Sequence, residues 1–219
     1  MGEQVPVLYG FYRSSAAFRV RIALAWKDID YKLHSVNLHT GEQKSETYRK
    51  IVPTGKVPAF TTKDGEILSQ SMAILEYIEE VYPENPLMPK DAYQRALVRE
   101  ISQIIACDIH PLQGITNTEA IAGDDLGKKK EWASAIISKT FVGLESRVKE
   151  TSGKYSVGDS VTIADLFVLP MVVNAIIWGV DMTEFPTLTR LHETLLNLPA
   201  FKKAHPLSQE DCPEELRYK

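Results

Sequence analysis

Two short motifs in the first third of the chain carry groups that could bind a ligand. Val57-Pro58 precedes a segment typical of a strand, and because proline cannot donate to a sheet it belongs at a strand start or edge. A cis bond there would leave the Val57 main chain free to pair with an extended peptide. Gln70-Ser71 opens a predicted helix, and the unpaired N–H groups of a helix start suit a carboxylate. Ordinary helix capping by Ser69 or Ser71 is the alternative.

A strand, a tight turn, a second strand and a helix must position these motifs. Residues 59–63 are rich in Thr and Phe, which suits a strand, and residues 66–69 return as its partner. Asp64-Gly65 between them predicts a type I′ hairpin turn, in which both residues take positive φ angles. Apolar residues at helical spacing mark the helix that follows, namely Met72, Leu75, Ile78 and Val81.

A serine pair near the N-terminus opens another predicted helix. Ser14 and Ser15 are natural N-caps for a helix that runs to Trp26, because alanines and apolar residues recur there at helical spacing. The other elements of this half are predicted at residues 5–9, 30–38 and 44–51. The order is therefore β-α-β-α-β-β-α, with a parallel strand pair and an antiparallel hairpin at the edge. This is a thioredoxin-like α/β arrangement.

A proline-rich linker divides the chain. Residues 82–89 contain three prolines, which interrupt helices and restrict the residues before them. We assign residues 1–85 to a thioredoxin-like domain and residues 91–219 to an all-α domain. The predicted elements after the linker are all helices.

The helical half contains one strong helix-start signal and one predicted kink. Thr162 as N-cap and Asp165 three residues later form a capping box. Pro111 lies within a long predicted helix and should kink it. Cys107 lies between isoleucines at helical spacing, which predicts a buried and inert thiol.

Composition excludes several classes of function. The net charge of −4 over 219 residues argues against a nucleic-acid partner. The two cysteines, Cys107 and Cys212, allow no disulfide framework and no Cys-x-x-Cys metal site. Residues 161–180 are mostly apolar, but their polar positions favour a buried helix over a membrane span. The N-terminus lacks the features of a signal peptide. We therefore expect a cytoplasmic protein with no metal, nucleic-acid or membrane partner.

Several of these motifs together resemble the glutathione transferases. The Val-Pro and Gln-Ser pairs resemble that family's glutathione-binding half, in which they hold the cysteinyl unit and the γ-glutamyl carboxylate. Residues 158–165 resemble the box that begins the core helix of its helical domain. Residues 12–24 are similar to the fingerprint of the zeta class, the maleylacetoacetate isomerases. Further matches to that class lie at residues 109–113, 180–187 and 200–206.

The resemblance implies a glutathione transferase fold, a homodimer, and glutathione as cofactor or co-substrate. The implied function is glutathione-dependent cis–trans isomerisation of the maleylacetoacetate type, in tyrosine and phenylalanine breakdown, with glutathione transferase activity. The implied glutathione-binding residues are Ser14, Ser15, Gln43, Val57, Pro58, Gln70, Ser71 and His110. The implied acceptor pocket includes Tyr12, Ala16 and Ile177. If the cysteinyl unit lies along the Val-Pro pair, Ser14 activates the thiol, with Ser15 as the second candidate.

Three positions depart from the zeta-class pattern. Ala16 stands in place of a cysteine, His110 in place of a glutamine, and Ile177 in place of an arginine thought to meet the substrate carboxylate. Arg13, Arg19 and His110 are candidates to compensate, although each is more simply structural. The second interpretation is therefore a zeta-like transferase or peroxidase that acts on apolar or α-halo acid electrophiles rather than on an enone diacid. A non-enzymatic binding protein with this fold is the third.

Overall fold

The computed structural model describes residues 5–218, which form a small sheet and ten α-helices. The strands are β1 (Val7–Gly10), β2 (Lys32–Ser35), β3 (Ala59–Thr61) and β4 (Ile67–Ser69). The helices are α1 (Ser15–Trp26), α2 (Glu46–Ile51), α3 (Ser71–Val81), α4 (Ala92–Gln103), α5 (His110–Gln113), α6 (Ile115–Ala122), α7 (Leu126–Thr151), α8 (Ile163–Trp178), α9 (Pro186–Leu196) and α10 (Pro199–Ala204). A π-helical segment, Ile104–Ile109, joins α4 to α5.

The chain divides into two compact units. One comprises the residues up to Pro86 together with those from Leu198 onward, and the other is Leu87–Asn197. This division differs at the C-terminus from the predicted domains, which assigned all of residues 91–219 to the helical half. The reason is that α10 packs against α1, so the last segment of the chain belongs to the unit that contains the sheet.

The first unit has the predicted thioredoxin-like arrangement. The strand order in the sheet is β2-β1-β3-β4, in which β1 and β2 are parallel and the other two pairs are antiparallel. The predicted order β-α-β-α-β-β-α is thus confirmed. α1 packs against α3 and α10, and its residues from Ser15 to Leu24 are all buried.

The hairpin between β3 and β4 differs from the predicted type I′ turn. Positive φ falls on Gly65, at 88°, but not on Asp64. The Gly65 N–H donates to the Thr62 carbonyl at 3.0 Å, and the Thr62 N–H donates to the Glu66 carbonyl at 2.8 Å. The Thr62 hydroxyl also accepts from the Asp64 and Glu66 N–H groups. These bonds give a three-residue loop that ends on a glycine, a turn that needs only one positive φ.

A buried lysine holds the start of the linker in the first unit. The Lys27 ammonium, fully buried, forms an ion pair with Glu79 at 2.8 Å. It also donates to the carbonyls of Tyr82 and Glu84 at 2.7 and 2.9 Å. Each of these contacts satisfies a charge or carbonyl where α3 ends and the proline-rich segment begins, which fixes the path of the chain there.

In the second unit, the long helix predicted through Pro111 is interrupted. Proline at position 111 cannot donate to the carbonyl four residues earlier and clashes with it. The chain widens into the π-helical segment Ile104–Ile109 before α5 begins at His110. π-Helical turns inside α-helices insert one residue and rotate everything after it.

The residue inserted by this π-helical segment explains why the prediction that Cys107 is buried is wrong. The Cys107 thiol is exposed and lies 3.0 Å from Oε1 of Gln103. Ile105 and Ile109 are the residues of this segment that face the core. The helical spacing used for the prediction does not hold where five rather than four residues separate donor and acceptor.

The predicted capping box at the start of α8 is confirmed. Asp165 is fully buried, and its Oδ2 accepts from the Thr162 N–H at 2.8 Å. Its Oδ1 accepts from the Ser156 N–H at 2.8 Å, so the same carboxylate also fixes the preceding loop. Burial raises the pKa of Asp165, while these hydrogen bonds oppose the rise. α8 is buried along most of its length, and no helix among residues 5–218 is long and apolar enough to cross a membrane.

Candidate active site

The register of the sheet brings three predicted binding segments to the same end of the sheet. Tyr9 of β1 lies beside Ala59 of β3, and Ala59 lies beside Ser69 of β4. β1 ends one residue after this row, just before the serine loop. β3 begins in the row, directly after Val57-Pro58, and β4 ends in the row, directly before Gln70-Ser71. The antiparallel pairing therefore places the serine loop, the Val-Pro pair and the start of α3 at the same side of the first unit.

The Val57-Pro58 segment presents an unpaired main chain. The peptide bond between the two residues is cis. Within the part of the chain that the structure describes, neither the N–H nor the C=O of Val57 has a hydrogen-bond partner. The preceding residue is fixed, because the Tyr48 hydroxyl donates to the Lys56 carbonyl at 2.9 Å. One unpaired donor and one unpaired acceptor on a segment whose preceding residue is fixed suit the main chain of a peptide ligand.

The start of α3 is open, which contradicts the alternative that Ser69 or Ser71 caps it. Gln70 is the N-cap residue, and its side chain makes no capping hydrogen bond to the first N–H groups of the helix. Its backbone has φ 73° and ψ 118°, a conformation that is costly for a residue with a Cβ. A strained N-cap residue and uncapped N–H groups do not stabilise a helix, and both are features of helix starts that bind ligands.

A buried arginine lies beside this helix start. Arg19 of α1 is only 2% exposed, and its Nη1 donates to Oγ of Ser71 at 3.1 Å. Burial lowers the pKa of Arg19 to about 9, so the side chain remains a cation at neutral pH. Because Ser71 Oγ accepts from Arg19, its own hydrogen can be donated to a ligand. The helix dipole, the hydroxyl and the nearby guanidinium all favour an anion here.

Gln43 supplies a further polar group near the Val-Pro segment. Its side chain is 9% exposed, and Oε1 is buried without a hydrogen-bond partner among the described residues. Gly55, at φ 60°, packs over its main chain, since a Cβ there would lie 2.9 Å from the Gln43 carbonyl oxygen. A buried acceptor with no partner is costly in an isolated protein, and a donor on a bound ligand would satisfy it.

The serine pair is arranged so that helix capping and proton donation are compatible. Ser14 is the N-cap of α1, and its Oγ accepts from the Ala17 N–H at 3.2 Å. A hydroxyl that accepts through a lone pair still has its hydrogen to donate. Ser14 is half-buried, whereas Ser15 is 7% exposed and is the first residue of the helix. Ser14 is thus the better placed of the two to meet a ligand.

Sequence reasoning missed the two residues that fix the loop before Ser14. Arg21, 1% exposed, donates to the carbonyls of Phe11 and Tyr12 at 3.2 and 3.1 Å. Burial lowers the pKa of Arg21 to about 10, and the Asp211 carboxylate opposes that fall. Asp211 accepts from the Tyr12 N–H at 2.8 Å. An arginine within an apolar helix was the available signal for Arg21; nothing local points to Asp211.

The remaining predicted residues belong to different units. Tyr12 and Ala16 are buried in the first unit, at 7% exposure each. His110 is the half-buried first residue of α5 in the second unit. Ile177, also in the second unit, lies near the end of α8 and is 45% exposed. Its neighbour Trp178 is anchored by a hydrogen bond from its indole N–H to Oε1 of Gln113 at 2.9 Å.

Comparison with known sequences identifies relatives over nearly the whole chain. Residues 8–86 match the glutathione S-transferase N-terminal domain, and residues 114–204 match the C-terminal domain. The maleylacetoacetate isomerase of Dictyostelium discoideum is 47% identical, over 97% of this chain and 98% of that protein. A zeta-class glutathione S-transferase of Euphorbia esula is 43% identical, over 93% of this chain and 91% of that protein.

Solved structures agree with these relationships. The maleylacetoacetate isomerase of Anaeromyxobacter dehalogenans 2CP-1, with glutathione bound in its active site, matches with a TM-score of 0.87. That match has 36% identity and covers 95% of this chain and 98% of the other. A second structure of the same enzyme, with bound dicarboxyethyl glutathione and citrate, matches with a TM-score of 0.86, at the same identity and coverage. The chain therefore belongs to the glutathione S-transferase family, among the zeta-class transferases and maleylacetoacetate isomerases.

Proposed function

We propose that this protein is a glutathione-dependent cis–trans isomerase of the maleylacetoacetate type, with glutathione transferase activity, that acts in tyrosine and phenylalanine breakdown. The observation that supports this proposal best is the sheet register that aligns Tyr9, Ala59 and Ser69. It brings together the three segments that we propose to bind the ligand. The relatives named for this activity cover nearly the full chain and supply the reaction class.

Glutathione fits the groups that the first unit offers. The open N–H groups of α3, with Gln70 and Ser71, suit the γ-glutamyl carboxylate. The unpaired main chain of Val57, followed by Pro58, suits the cysteinyl unit, and the orphaned Oε1 of Gln43 suits an N–H donor. From the second unit, His110 is the further glutathione contact that we propose by family resemblance.

The chain's contribution to the reaction is to hold and stabilise a thiolate. When bound, glutathione supplies a sulfur nucleophile that adds to a cis-enone, permits rotation about the former double bond, and leaves. The free thiol has a pKa of about 8.5, and hydrogen-bond donors near a helix N-terminus can lower it into the range of roughly 3.5–7.5. Ser14 provides the hydroxyl at the start of α1 and is the catalytic residue that we propose, with Ser15 second.

A second candidate function rests on Ile177. Ile177 and the adjacent Ile176 are 45% and 48% exposed near the end of α8, which gives this part of the second unit an apolar surface. Burial of apolar substrate surface against the Ile177 side chain would favour apolar or α-halo acid electrophiles over an enone diacid. The acceptor-pocket residues that we propose by family resemblance are Tyr12, Ala16 and Ile177.

Parallel assays distinguish these candidates. Purified protein is given maleylacetone and a panel of halogenated acceptors, with and without glutathione. We expect glutathione-dependent isomerisation of maleylacetone to exceed conjugation of every acceptor. Conjugation without isomerisation would favour the second candidate, and binding of glutathione with neither activity would indicate a non-enzymatic binding protein.

One substitution tests the role of Ile177 directly. Ile177→Arg should raise activity on the diacid relative to apolar acceptors, because a guanidinium pairs with a carboxylate through two hydrogen bonds. Ile176→Arg is the matched control, since Ile176 is adjacent and equally exposed. An unchanged ratio of the two activities in a folded Ile177→Arg variant, or the same change in both variants, would count against this assignment.

The same resemblance leads us to propose a cytoplasmic homodimer. In the second unit, Tyr93 on α4 and Val142 on α7 are 68% and 65% exposed. An open groove of about 440 Å³ runs between these helices and is lined by Ile104, Gly143 and Arg147 among others. Sedimentation velocity at micromolar concentration is expected to give the mass of two chains, and a Val142→Glu variant should shift the protein toward one.

A further inference from the structure

The loop that precedes Ser14 is fixed by a segment from the other end of the chain. The Tyr12 N–H donates to Oδ2 of Asp211 at 2.8 Å, across 199 positions of sequence. The Ser35 hydroxyl donates to the same oxygen at 2.9 Å, which ties the carboxylate to the end of β2 as well. Asp211 thus connects the C-terminal segment, the sheet and the serine loop within the first unit.

The C-terminal segment that carries Asp211 is built to hold it in place. Cys212 is 1% exposed and packs with Phe11 and Tyr12. The Arg217 side chain donates to the Cys212 carbonyl at 2.8 Å, and the Gln209 amide donates to the carbonyl of His205 at 2.9 Å. The carboxylate is therefore presented from a segment that is itself cross-linked by hydrogen bonds.

Asp211 and Arg21 hold the same loop through opposite groups. Arg21 donates to the carbonyls of Phe11 and Tyr12, and to the Ala204 carbonyl at the end of α10 at 3.0 Å. Asp211 accepts from the N–H of Tyr12. Both polar groups of the Tyr12 main chain are thus engaged by buried or partly buried charges. Hydrogen bonds to charged groups are roughly twice as strong as neutral ones.

We propose that Asp211 is a positioning residue for the reaction, which sets the orientation of Ser14 toward the glutathione thiol through the Tyr12 main chain. This inference rests on the proposed function, since it assumes that Ser14 donates to a thiolate. The Ser14 N–H donates to the Phe11 carbonyl at 2.9 Å, so a shift of the loop moves Ser14 with it. Asp211 itself does not contact the reacting atoms.

The experiment compares Asp211→Ala, which removes the acceptor, with Asp211→Asn, which keeps an amide oxygen in its place but removes the charge. Glu210→Gln is the matched control, because it removes one negative charge from the exposed adjacent position. Four quantities are measured for each variant: the glutathione dissociation constant by calorimetry, the ultraviolet titration of the bound thiol, hydrogen exchange of the peptide that contains Tyr12, and the melting temperature.

For Asp211→Ala we expect the thiol titration to move upward by about one pH unit, the shift that a roughly tenfold loss of thiolate stabilisation produces. Glutathione affinity should change by less than about threefold, because the Val57 and α3 contacts remain. Tyr12 exchange should accelerate. Asp211→Asn should lie between Asp211→Ala and the parent, and Glu210→Gln should match the parent.

Two results would overturn the inference. One is an Asp211→Ala or Asp211→Asn variant that melts at a lower temperature but whose bound thiol titrates like that of the parent. That result would show that Asp211 has a purely structural role. The other is an equal shift in Glu210→Gln, which would mean that general charge and not the hydrogen bond matters. Because the titration needs no second substrate, a parent protein without isomerase activity would refute the proposed function while this measurement still decides the role of Asp211.

Discussion

Two helix starts in this protein are built in opposite ways. α8 begins at a closed terminus, where the buried Asp165 and the Thr162 side chain satisfy the main-chain N–H groups. α3 begins at an open terminus, where Gln70 has a strained backbone and its side chain does not cap the helix. The closed start serves stability, because nothing else can reach its donors. The open start leaves its donors for a ligand, and α3 lacks the stabilisation that a cap gives.

The first prediction tests the closed terminus and has the largest expected effect. Asp165→Ala leaves the N–H groups of Ser156 and Thr162 buried without an acceptor. We expect the free energy of unfolding to fall by about 2–6 kcal/mol, since each of the two unsatisfied buried groups costs ~1–3 kcal/mol. Urea denaturation measures this. Glutathione affinity should not change, and an active-site role for Asp165 would be indicated by lost activity at an unaltered melting temperature.

The second prediction is the counterpart at the open terminus. Ser71→Ala should weaken glutathione binding by roughly 1.5–3 kcal/mol, the contribution of a hydrogen bond to a charged group. The free energy of unfolding should fall as well, by about 1–3 kcal/mol, because Nη1 of the buried Arg19 loses its hydrogen bond to Ser71 Oγ. Calorimetry and urea denaturation measure the two effects, with Ser69→Ala as the control. Unchanged affinity in Ser71→Ala would end the assignment of α3 as the carboxylate site.

A third prediction concerns α1, whose start combines both kinds of terminus. Ser14→Ala should raise the pKa of the bound thiol by one or two units, each worth about 1.4 kcal/mol, because the donor that stabilises the thiolate is lost. It should also destabilise the fold by about 1 kcal/mol through loss of the cap. Thiolate absorbance against pH is the measurement.

Ser15→Ala is the matched control for that titration. If only Ser15→Ala moves the pKa of the thiol, the two serines exchange roles. If neither variant moves it while glutathione still binds, the helix terminus alone stabilises the thiolate and the catalytic assignment of Ser14 is wrong.

The smallest predicted effect tests whether the open terminus is held under strain. Gln70→Gly should raise the free energy of unfolding by about 1 kcal/mol, because glycine adopts φ near 73° without the cost that glutamine bears. The same variant should bind glutathione more weakly through loss of the amide. Gln70→Ala removes the amide but keeps the strained backbone. Equal stability of the Gly and Ala variants would show that Gln70 is not strained.

Local sequence signals predicted the elements that depend on neighbouring residues. The capping box of α8 and the N-cap at Ser14 follow from residues three positions apart, and both are present. The strand and helix order of the first unit follows from periodicity and turn residues, and the sheet has that order. The prediction that the Val-Pro and Gln-Ser segments serve one site came from family resemblance. The sheet register is the physical reason that they lie close together.

The missed features depend on local geometry that periodicity does not describe, or on contacts between distant parts of the sequence. The hairpin turn was decided by hydrogen bonds to the Thr62 hydroxyl rather than by the Asp-Gly pair. The exposure of Cys107 was decided by the π-helical segment before Pro111, which inserts one residue into the helix. The hydrogen bond from Tyr12 to Asp211 joins residues that only the completed fold brings together.

The buried Arg21 has a consequence for the order in which the protein matures. Its third acceptor, the Ala204 carbonyl, lies 183 positions after it in the sequence, and Asp211 lies 199 positions after its partner Tyr12, so both are synthesised long after the serine loop. A nascent chain can form the sheet and the open start of α3 well before then. The serine loop, however, gains its fixed geometry only after residues 204–211 have been made, so a chain truncated before them would lack the contacts that hold the loop before Ser14.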